Sequence, residues 1–154
     1  MPHIHIVALG KLKEKFWREA ESEYLKRLTP YYNIVLHEIR EESFDEKSDK
    51  EKIKLAEAEK ILTTLEKIKS ENVIALDEHG KKFSSLSFSE FISPLTDIVF
   101  VIGGPLGLHQ KVIEKVKTKI SFSDMTFTHQ MIRVFLLEQI YRATTIKIGK
   151  KYHY

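Results

Sequence analysis

The segment whose residues most clearly suggest ligand binding is FVIGGPLGLHQKV, Phe100 to Val112. In it, an apolar strand leads into a glycine-rich turn and a helix-like stretch. This order is typical of loops that hold phosphate-bearing ligands. The dinucleotide fingerprint requires glycines at relative positions one, three and six, but Ile102 occupies the first of these positions here. No Gly-Lys-Ser/Thr follows, and Pro105 lacks a backbone amide that could cradle a phosphate. A conventional nucleotide loop is therefore disfavoured.

Two other interpretations of Gly103, Gly104 and Gly107 stay open. The turn could be structural only, or its backbone could approach an uncharged part of a ligand, such as an adenine. Asp124 lies at about the distance expected for a ribose-binding acid. A nicotinamide-dependent oxidoreductase therefore remains an alternative.

The segment HQMIRVFLLEQIYRA, beginning at His129, is the second chemical candidate. Wound as a helix, it is apolar on nearly its whole circumference, which predicts one side against the core and another against a second subunit. Glu138 and Arg142 have the favourable i, i+4 order for an ion pair, and His129 shares a different face with Arg133.

Charge is unevenly distributed along the chain. The net charge is +3, but residues 1–96 carry 16 Lys/Arg and 18 Asp/Glu, whereas residues 97–154 carry 9 and 4. A basic carboxy-terminal third with an aromatic tail is typical of proteins that bind a polyanion, such as RNA. The longest apolar run, Ile98 to Ile102, is too short to cross a membrane. We see no signal peptide and expect a cytoplasmic protein.

Metal and hydrolase chemistry have weaker support. The chain has no cysteine, which excludes disulfides and thiolate metal sites. His3 and His5 share one face of a strand, where an exposed position is a simpler interpretation than a metal pair. Ser123, Asp124 and His129 are close in sequence, but no nucleophile-elbow motif surrounds the serine. Three other histidines are expected to face solvent: His37, His79 and His109.

The pattern of elements predicts a single α/β domain with a mostly parallel sheet. We expect strands at His3–Leu9, Asn33–Ile39, Val73–Asp77, Asp97–Ile102 and near Ile120. We expect helices over Phe16–Leu28, Ile53–Ile68 and Val112–Val116, a short one beginning near Ser87 with Glu90 in a capping box, and a last one over His129–Thr144. The residues EHGKK after Asp77 are expected to form a turn.

Three segments in this order, VIALDEHGK, FVIGGPLGL and SFSDMTFTHQMIRVFLLEQIYRA, with a terminal Tyr-His, resemble the RlmH family of SPOUT methyltransferases. The resemblance runs along the whole chain, 1–154. It implies an α/β fold with a deep trefoil knot over about residues 73–154, which is an exception to the rule against knots. It also implies a homodimer that binds S-adenosylmethionine (SAM) in a bent conformation. The implied reaction is N3 methylation of a pseudouridine in a stem-loop of 23S ribosomal RNA, on the assembled ribosome.

The resemblance also places the cofactor site on three loops. Its expected residues are Leu76 in the first loop, Gly103, Gly104 and Gly107 in the second, and Phe122, Ser123, Asp124, Met125, Thr126, Phe127 and Thr128 in the third. The glycines would let backbone approach the adenosyl group.

The catalytic candidates are Arg142, Tyr152, His129 and Glu138, which would orient or deprotonate the base and stabilise negative charge on a carbonyl oxygen. The RNA-binding candidates are Arg133, Lys150, Lys151 and His153. The tail could fold over the pocket of a neighbouring subunit and stack on an unpaired base. An ion pair within the helix and a frayed terminus are the structural alternatives.

The chain departs from the family pattern in two places. Thr128 stands where the family usually has Pro, and Thr can still begin a helix as an N-cap. The tail Lys151-Tyr152-His153-Tyr154 lacks the final basic residue of the family. A non-catalytic RNA-binding dimer remains an alternative to the enzyme.

Overall fold

Strands and helices alternate along the whole chain in the computed structural model, which describes residues 1–154. The strands are β1 (His3–Leu9), β2 (Asn33–Ile39), β3 (Asn72–Lys82), β4 (Ile98–Ile102) and β5 (Thr118–Ser121). The helices are α1 (Lys15–Leu28), α2 (Lys50–Ile68), α3 (Ser85–Ile92), α4 (Gln110–Ile113) and α5 (His129–Ile148). None of these helices is long and apolar enough to cross a membrane.

The five strands form one sheet in the order β2-β1-β4-β3-β5, and every neighbouring pair is parallel. This confirms the predicted α/β class and the parallel sheet. Because the strands are parallel, all their carboxyl ends meet at one edge, which is where such sheets bind ligands.

Side chains alternate between the two faces of the sheet, and each face has its own core. On one face, Ile4 and Ile6 pack with residues of α1, α3 and α5 around the fully buried Phe100. On the other, Val7 and Leu9 pack with α2 and α4. The resulting three layers hold the strand ends rigidly, and the loops at the carboxyl edge inherit that rigidity.

The last helix begins and ends at residues suited to those positions. The Thr128 hydroxyl accepts a hydrogen bond from the Met131 amide at 3.3 Å, as predicted for an N-cap. Gly149 closes α5 with φ of 72°, a left-handed conformation that favours glycine. The helix therefore continues to Ile148, beyond the predicted end at Thr144.

Three further predictions of local structure were wrong. Residues 78–82 do not form a turn, because β3 continues to Lys82 after a register shift against β5. The short helix α3 begins at Ser85 with Ser84 as its N-cap, not near Ser87. The helix α4 has only four residues, ending at Ile113.

Two of the histidines expected in solvent are partly enclosed. His37 is half-buried, and its Nε2 lies 2.9 Å from Nδ1 of His5. The His109 side chain caps α4 by accepting a hydrogen bond from the Lys111 amide at 3.0 Å. His79 is exposed, as predicted. No group of three or more His, Cys, Asp or Glu side chains is arranged to hold a metal ion.

Candidate functional site

A cleft of about 890 Å³ opens at the carboxyl edge of the sheet, where β3, β4 and β5 end. Its volume is in the range usual for small-molecule sites. Ten of its lining residues were predicted as cofactor-binding: Leu76, Gly103, Gly104, Gly107, Phe122, Ser123, Met125, Thr126, Phe127 and Thr128. The fold thus brings together three loops that are distant in sequence.

The glycine loop forms one wall by tight backbone packing. A Cβ on Gly103 would lie 3.0 Å from the carbonyl carbon of Gly107 and 3.1 Å from Cγ of Leu108. Gly107 has φ of +79°, and its amide donates to the carbonyl of Gly104 at 3.0 Å. These glycines let the backbone lie directly against the cleft.

The helix that follows the glycine loop is poorly suited to bind phosphate. α4 has one turn, and the His109 side chain already occupies the amide of Lys111. A helix this short has little dipole to offer an anion. Asp124, the candidate ribose-binding acid, is exposed, pairs with Lys82 and does not line the cleft. Both observations disfavour a dinucleotide site.

An excursion of β3 forms the second wall. Leu76 and Lys81 both pair with Ile120, so the four residues between them project out of the ladder. A Cβ on Gly80 would lie 2.7 Å from backbone atoms of Ile120, so the excursion returns in direct contact with β5. Asp77 and Glu78 project from this excursion and line the cleft. Sequence reasoning missed them, although an acidic pair at the end of a buried strand was a usable signal.

The loop between β5 and α5 forms the third wall and is fixed by its own hydrogen bonds. The Ser121 hydroxyl donates to the carbonyl of Ser123 at 2.8 Å, and the amide of Met125 donates to the Ser123 hydroxyl at 3.0 Å. The Thr126 hydroxyl donates to Glu78 at 3.2 Å, which joins this loop to the β3 excursion. The cleft is therefore closed on both sides by ordered backbone.

His129 is the only predicted catalytic residue that lines the cleft. Burial lowers its pKa, which favours the neutral imidazole. Its neighbour Gln130 accepts a hydrogen bond from the amide of Lys13 at 3.0 Å, which fixes the start of α5. Trp17 also lines the cleft and was not predicted.

The other three catalytic candidates form a separate cluster near the carboxy terminus. Nε of Arg142 donates to Glu138 at 3.0 Å, and the hydroxyl of Tyr152 donates to the same carboxylate oxygen at 3.0 Å. Nη1 of Arg142 lies 3.2 Å from Nδ1 of His153. The Tyr24 hydroxyl lies 3.3 Å from that of Tyr152. The tail is thus packed, not frayed.

The cluster favours hydrogen-bond donation over proton abstraction. Burial, with the hydrogen bonds to Tyr24 and Glu138, raises the pKa of Tyr152 above its ordinary value of 10.0. The hydrogen bond to Glu138 raises the pKa of Arg142. At neutral pH the phenol is therefore protonated and the guanidinium is charged.

The cleft and the carboxy-terminal cluster are far apart in one chain. His129 begins α5, and thirteen residues of helix at ~1.5 Å per residue place Arg142 roughly 20 Å further along it. Reacting atoms must approach to about 3–3.5 Å. His129 and Arg142 of one chain are therefore too far apart to act on the same reacting atom.

The structure contradicts the RNA contact predicted for Arg133. Its guanidinium is buried and donates to Glu21 at 2.5 and 3.1 Å, with a further ion pair to Glu38 at 2.8 Å. A side chain so enclosed is not available to a phosphate. Lys150 and Lys151 are exposed, and Nζ of Lys150 lies 5.9 Å from the centre of the Tyr141 ring.

Comparison with known proteins agrees with the fold and identifies the family. The family model described as "Predicted SPOUT methyltransferase" matches residues 2–153. A protein named ribosomal RNA large subunit methyltransferase H from Carboxydothermus hydrogenoformans is 44% identical, with 97% of this chain and 98% of that protein covered. The protein of the same name from Pelotomaculum thermopropionicum is 43% identical over the full length of both chains.

The fold is also found among solved structures. A methylase family protein from Haemophilus influenzae, so described, aligns over 96% of this chain and 67% of its own, with a TM-score of 0.57 and 15% identity. The chain belongs to the SPOUT methyltransferase family.

Proposed function

We propose that this protein is a SAM-dependent methyltransferase that modifies N3 of a pseudouridine in a stem-loop of 23S ribosomal RNA. The observation that carries the proposal is the cleft: three loops predicted to bind SAM converge on it, in a chain whose full-length relatives are named ribosomal RNA large subunit methyltransferase H. When bound, SAM supplies an activated methyl group on its sulfonium sulfur.

The cleft residues fit that cofactor. The backbone at Gly103, Gly104 and Gly107 gives a flat surface for a purine ring, because no Cβ stands between it and the ligand. Leu76 and Phe122 add apolar surface, while the loop from Ser123 to Thr128 offers hydroxyl and amide groups. This mixture of apolar walls and a few polar groups is usual for cofactor sites.

A homodimer would complete the site. His129 in the cleft is about 20 Å along α5 from Arg142, so a second copy would supply the carboxy-terminal cluster if both side chains act on one base. Phe16 at the start of α1 is 58% exposed, and Met131, Ile132 and Phe135 on α5 are only half-buried. These apolar side chains offer a surface on which the two copies can pack.

In that dimer, each residue has a defined part in the transfer. The acceptor N3 lies between two carbonyls and must lose a proton when it receives the methyl group. Arg142 stabilises negative charge that develops on a carbonyl oxygen, and the protonated Tyr152 donates a hydrogen bond to the base. Glu138 orients both side chains. His129, neutral in the lining of the cleft, is the candidate proton acceptor.

The RNA would be held by the tail. Lys150 and Lys151 are exposed and would contact phosphates, while His153 extends the packed tail beside Arg142. A small domain has little surface with which to read a sequence, so the shape of the assembled ribosome would supply specificity. The ribosome as substrate implies a cytoplasmic location.

The knot belongs to the same proposal. We expect residues 73–154 to form the deep trefoil knot of the family, in which the chain after β5 is drawn back beneath the glycine loop. The loop from Ser123 to Thr128 and the glycine loop both line the cleft, which supports this path.

The test is transfer of a labelled methyl group from SAM to ribosomes that lack their own modification at this site. Wild-type protein should label a pseudouridine at N3, and Arg142→Ala should abolish labelling while SAM still binds. SAM binding without any transfer would favour a non-catalytic RNA-binding dimer. Absence of SAM binding would refute the proposal.

A further inference from the structure

The cleft has acidic side chains in its lining but no Lys or Arg. Asp77 and Glu78 are its two carboxylates, and His129 is the other ionisable side chain in the lining. Burial lowers the pKa of His129, which favours its neutral form. Neither carboxylate pairs with a lysine or an arginine, and Oε1 of Glu78 lies 3.4 Å from Nε2 of the exposed His79. Glu78 accepts from the Thr126 hydroxyl at 3.2 Å, and Asp77 accepts from the backbone amide of His79 at 3.4 Å.

These carboxylates are held in place by backbone. The β3 excursion that carries them returns to the sheet at Gly80, in contact with Ile120. The neighbouring Lys82 does not neutralise them, because it pairs with Asp124 outside the cleft. The two carboxylates therefore place negative charge at the wall of the cleft.

We propose that Asp77 and Glu78 make the cleft select SAM over its demethylated product by charge. This inference rests on the proposed function, which places SAM in the cleft. SAM carries a sulfonium, an ammonium and a carboxylate, with a net charge of +1. After transfer the bonding pair of the carbon–sulfur bond stays on sulfur, and the acceptor nitrogen releases its proton to a base or to water. The product S-adenosylhomocysteine thus has no net charge.

The two carboxylates therefore attract the methyl donor before the reaction and lose this attraction after it. Their effect favours exchange of product for a fresh donor. Glu78 is 54% exposed, so water screens its field. For a separation of about 6–8 Å and an effective dielectric constant of about 40–60, between that of a protein surface and that of water, each carboxylate should change the affinity for SAM by roughly three- to tenfold.

The test measures binding of each compound, without RNA and without turnover. SAM and S-adenosylhomocysteine are titrated separately by calorimetry into wild type, Asp77→Asn and Glu78→Gln. Each substitution removes the charge but keeps an oxygen that can accept the hydrogen bond from His79 or Thr126. Glu66→Gln is the matched control, because Glu66 is exposed near the end of α2, at the opposite edge of the sheet.

We expect each cleft substitution to weaken SAM binding about three- to tenfold and to change binding of S-adenosylhomocysteine less than about twofold. In the wild type, raising the salt concentration from about 0.05 to 0.5 M should weaken SAM binding selectively, because the Debye length shortens. The control should match the wild type for both compounds.

Two results would overturn the inference. If both compounds lose affinity by the same factor, the carboxylates act by contact or by shaping the cleft, not by charge selection. If SAM binding is unchanged in both variants, the carboxylates do not act on it. Wild-type protein that binds neither compound would refute the proposed function itself, an outcome distinct from these two.

Discussion

Replacing Arg133 with methionine should destabilise the protein strongly, because this arginine joins three elements of the fold. Its guanidinium lies between Glu21 of α1 and Glu38 of β2, and its side chain is 4% exposed. The Glu21 side chain is 12% exposed, whereas that of Glu38 is 35% exposed and can turn to water. Loss of the arginine would leave the Glu21 charge buried without a partner.

The magnitude follows from that burial. Removing one partner of a buried ion pair costs about 3–5 kcal/mol, and Glu38, being partly exposed, should add little. In a domain of this size each kcal/mol lowers the melting temperature by about 2–4 °C. Arg133→Met should therefore lower it by roughly 6–20 °C, measured by circular dichroism, with a matching loss of unfolding free energy in urea.

A second substitution separates lost charge pairing from lost packing. Glu21→Gln in the Arg133→Met background removes the stranded charge and should recover more than half of the lost stability. A loss below about 1 kcal/mol in Arg133→Met would refute the reasoning, as would a double variant no more stable than the single one.

Three further predictions follow from the site and the sheet. Gly80→Ala should lower the free energy of unfolding by about 1–3 kcal/mol, because the added Cβ would lie 2.7 Å from backbone atoms. Gly104→Ala is the control and should leave stability unchanged, because its nearest contact would be 3.6 Å. Urea unfolding compares the two variants. Burial lowers the pKa of His5 and His37 below 6.5, so stability should be full above pH 6.5 and decline as pH falls below it; a flat profile in wild type would contradict this. Tyr152→Phe should lower the rate of methyl transfer without weakening SAM binding. Because the pKa of Tyr152 is raised in the wild type, its ionisation should not affect the pH dependence of the methyl-transfer rate below about pH 10. An equal loss of methyl transfer and of SAM binding in Tyr152→Phe would assign the hydroxyl to cofactor binding.

Much of the local structure was readable from the sequence. The alternation around Ile4 and Ile6 predicted β1 to the residue, and β2 was also predicted with its observed bounds, Asn33–Ile39. Thr128 was predicted to begin α5, because a short hydroxyl side chain can satisfy a free helix amide.

Much of the cleft could be predicted only through the family resemblance. All but one of the expected cofactor residues line it, and the exception, Asp124, turns outward to Lys82. The glycine spacing alone left three interpretations open, because glycine permits close approach without naming the ligand.

Long-range contacts could not be predicted from the sequence. Arg133 pairs with Glu21 across 112 residues, and nothing local distinguishes it from an exposed arginine on a helix. The β3 excursion that carries Asp77 and Glu78 exists because Gly80 meets the backbone of β5, and a register shift of this kind has no signature in one strand. Trp17 lines the cleft because α1 packs beside α5, and this long-range packing likewise could not be predicted from the sequence.

The sequence by itself determined the elements, the parallel α/β class and the family, because these depend on short-range periodicity and on ordered motifs. Tertiary structure alone decided which side chains share a surface. It buried Arg133 between Glu21 and Glu38, and it placed two carboxylates in the lining of the cleft. Periodicity fixes which face of an element is buried, but only the packed fold fixes what that face meets.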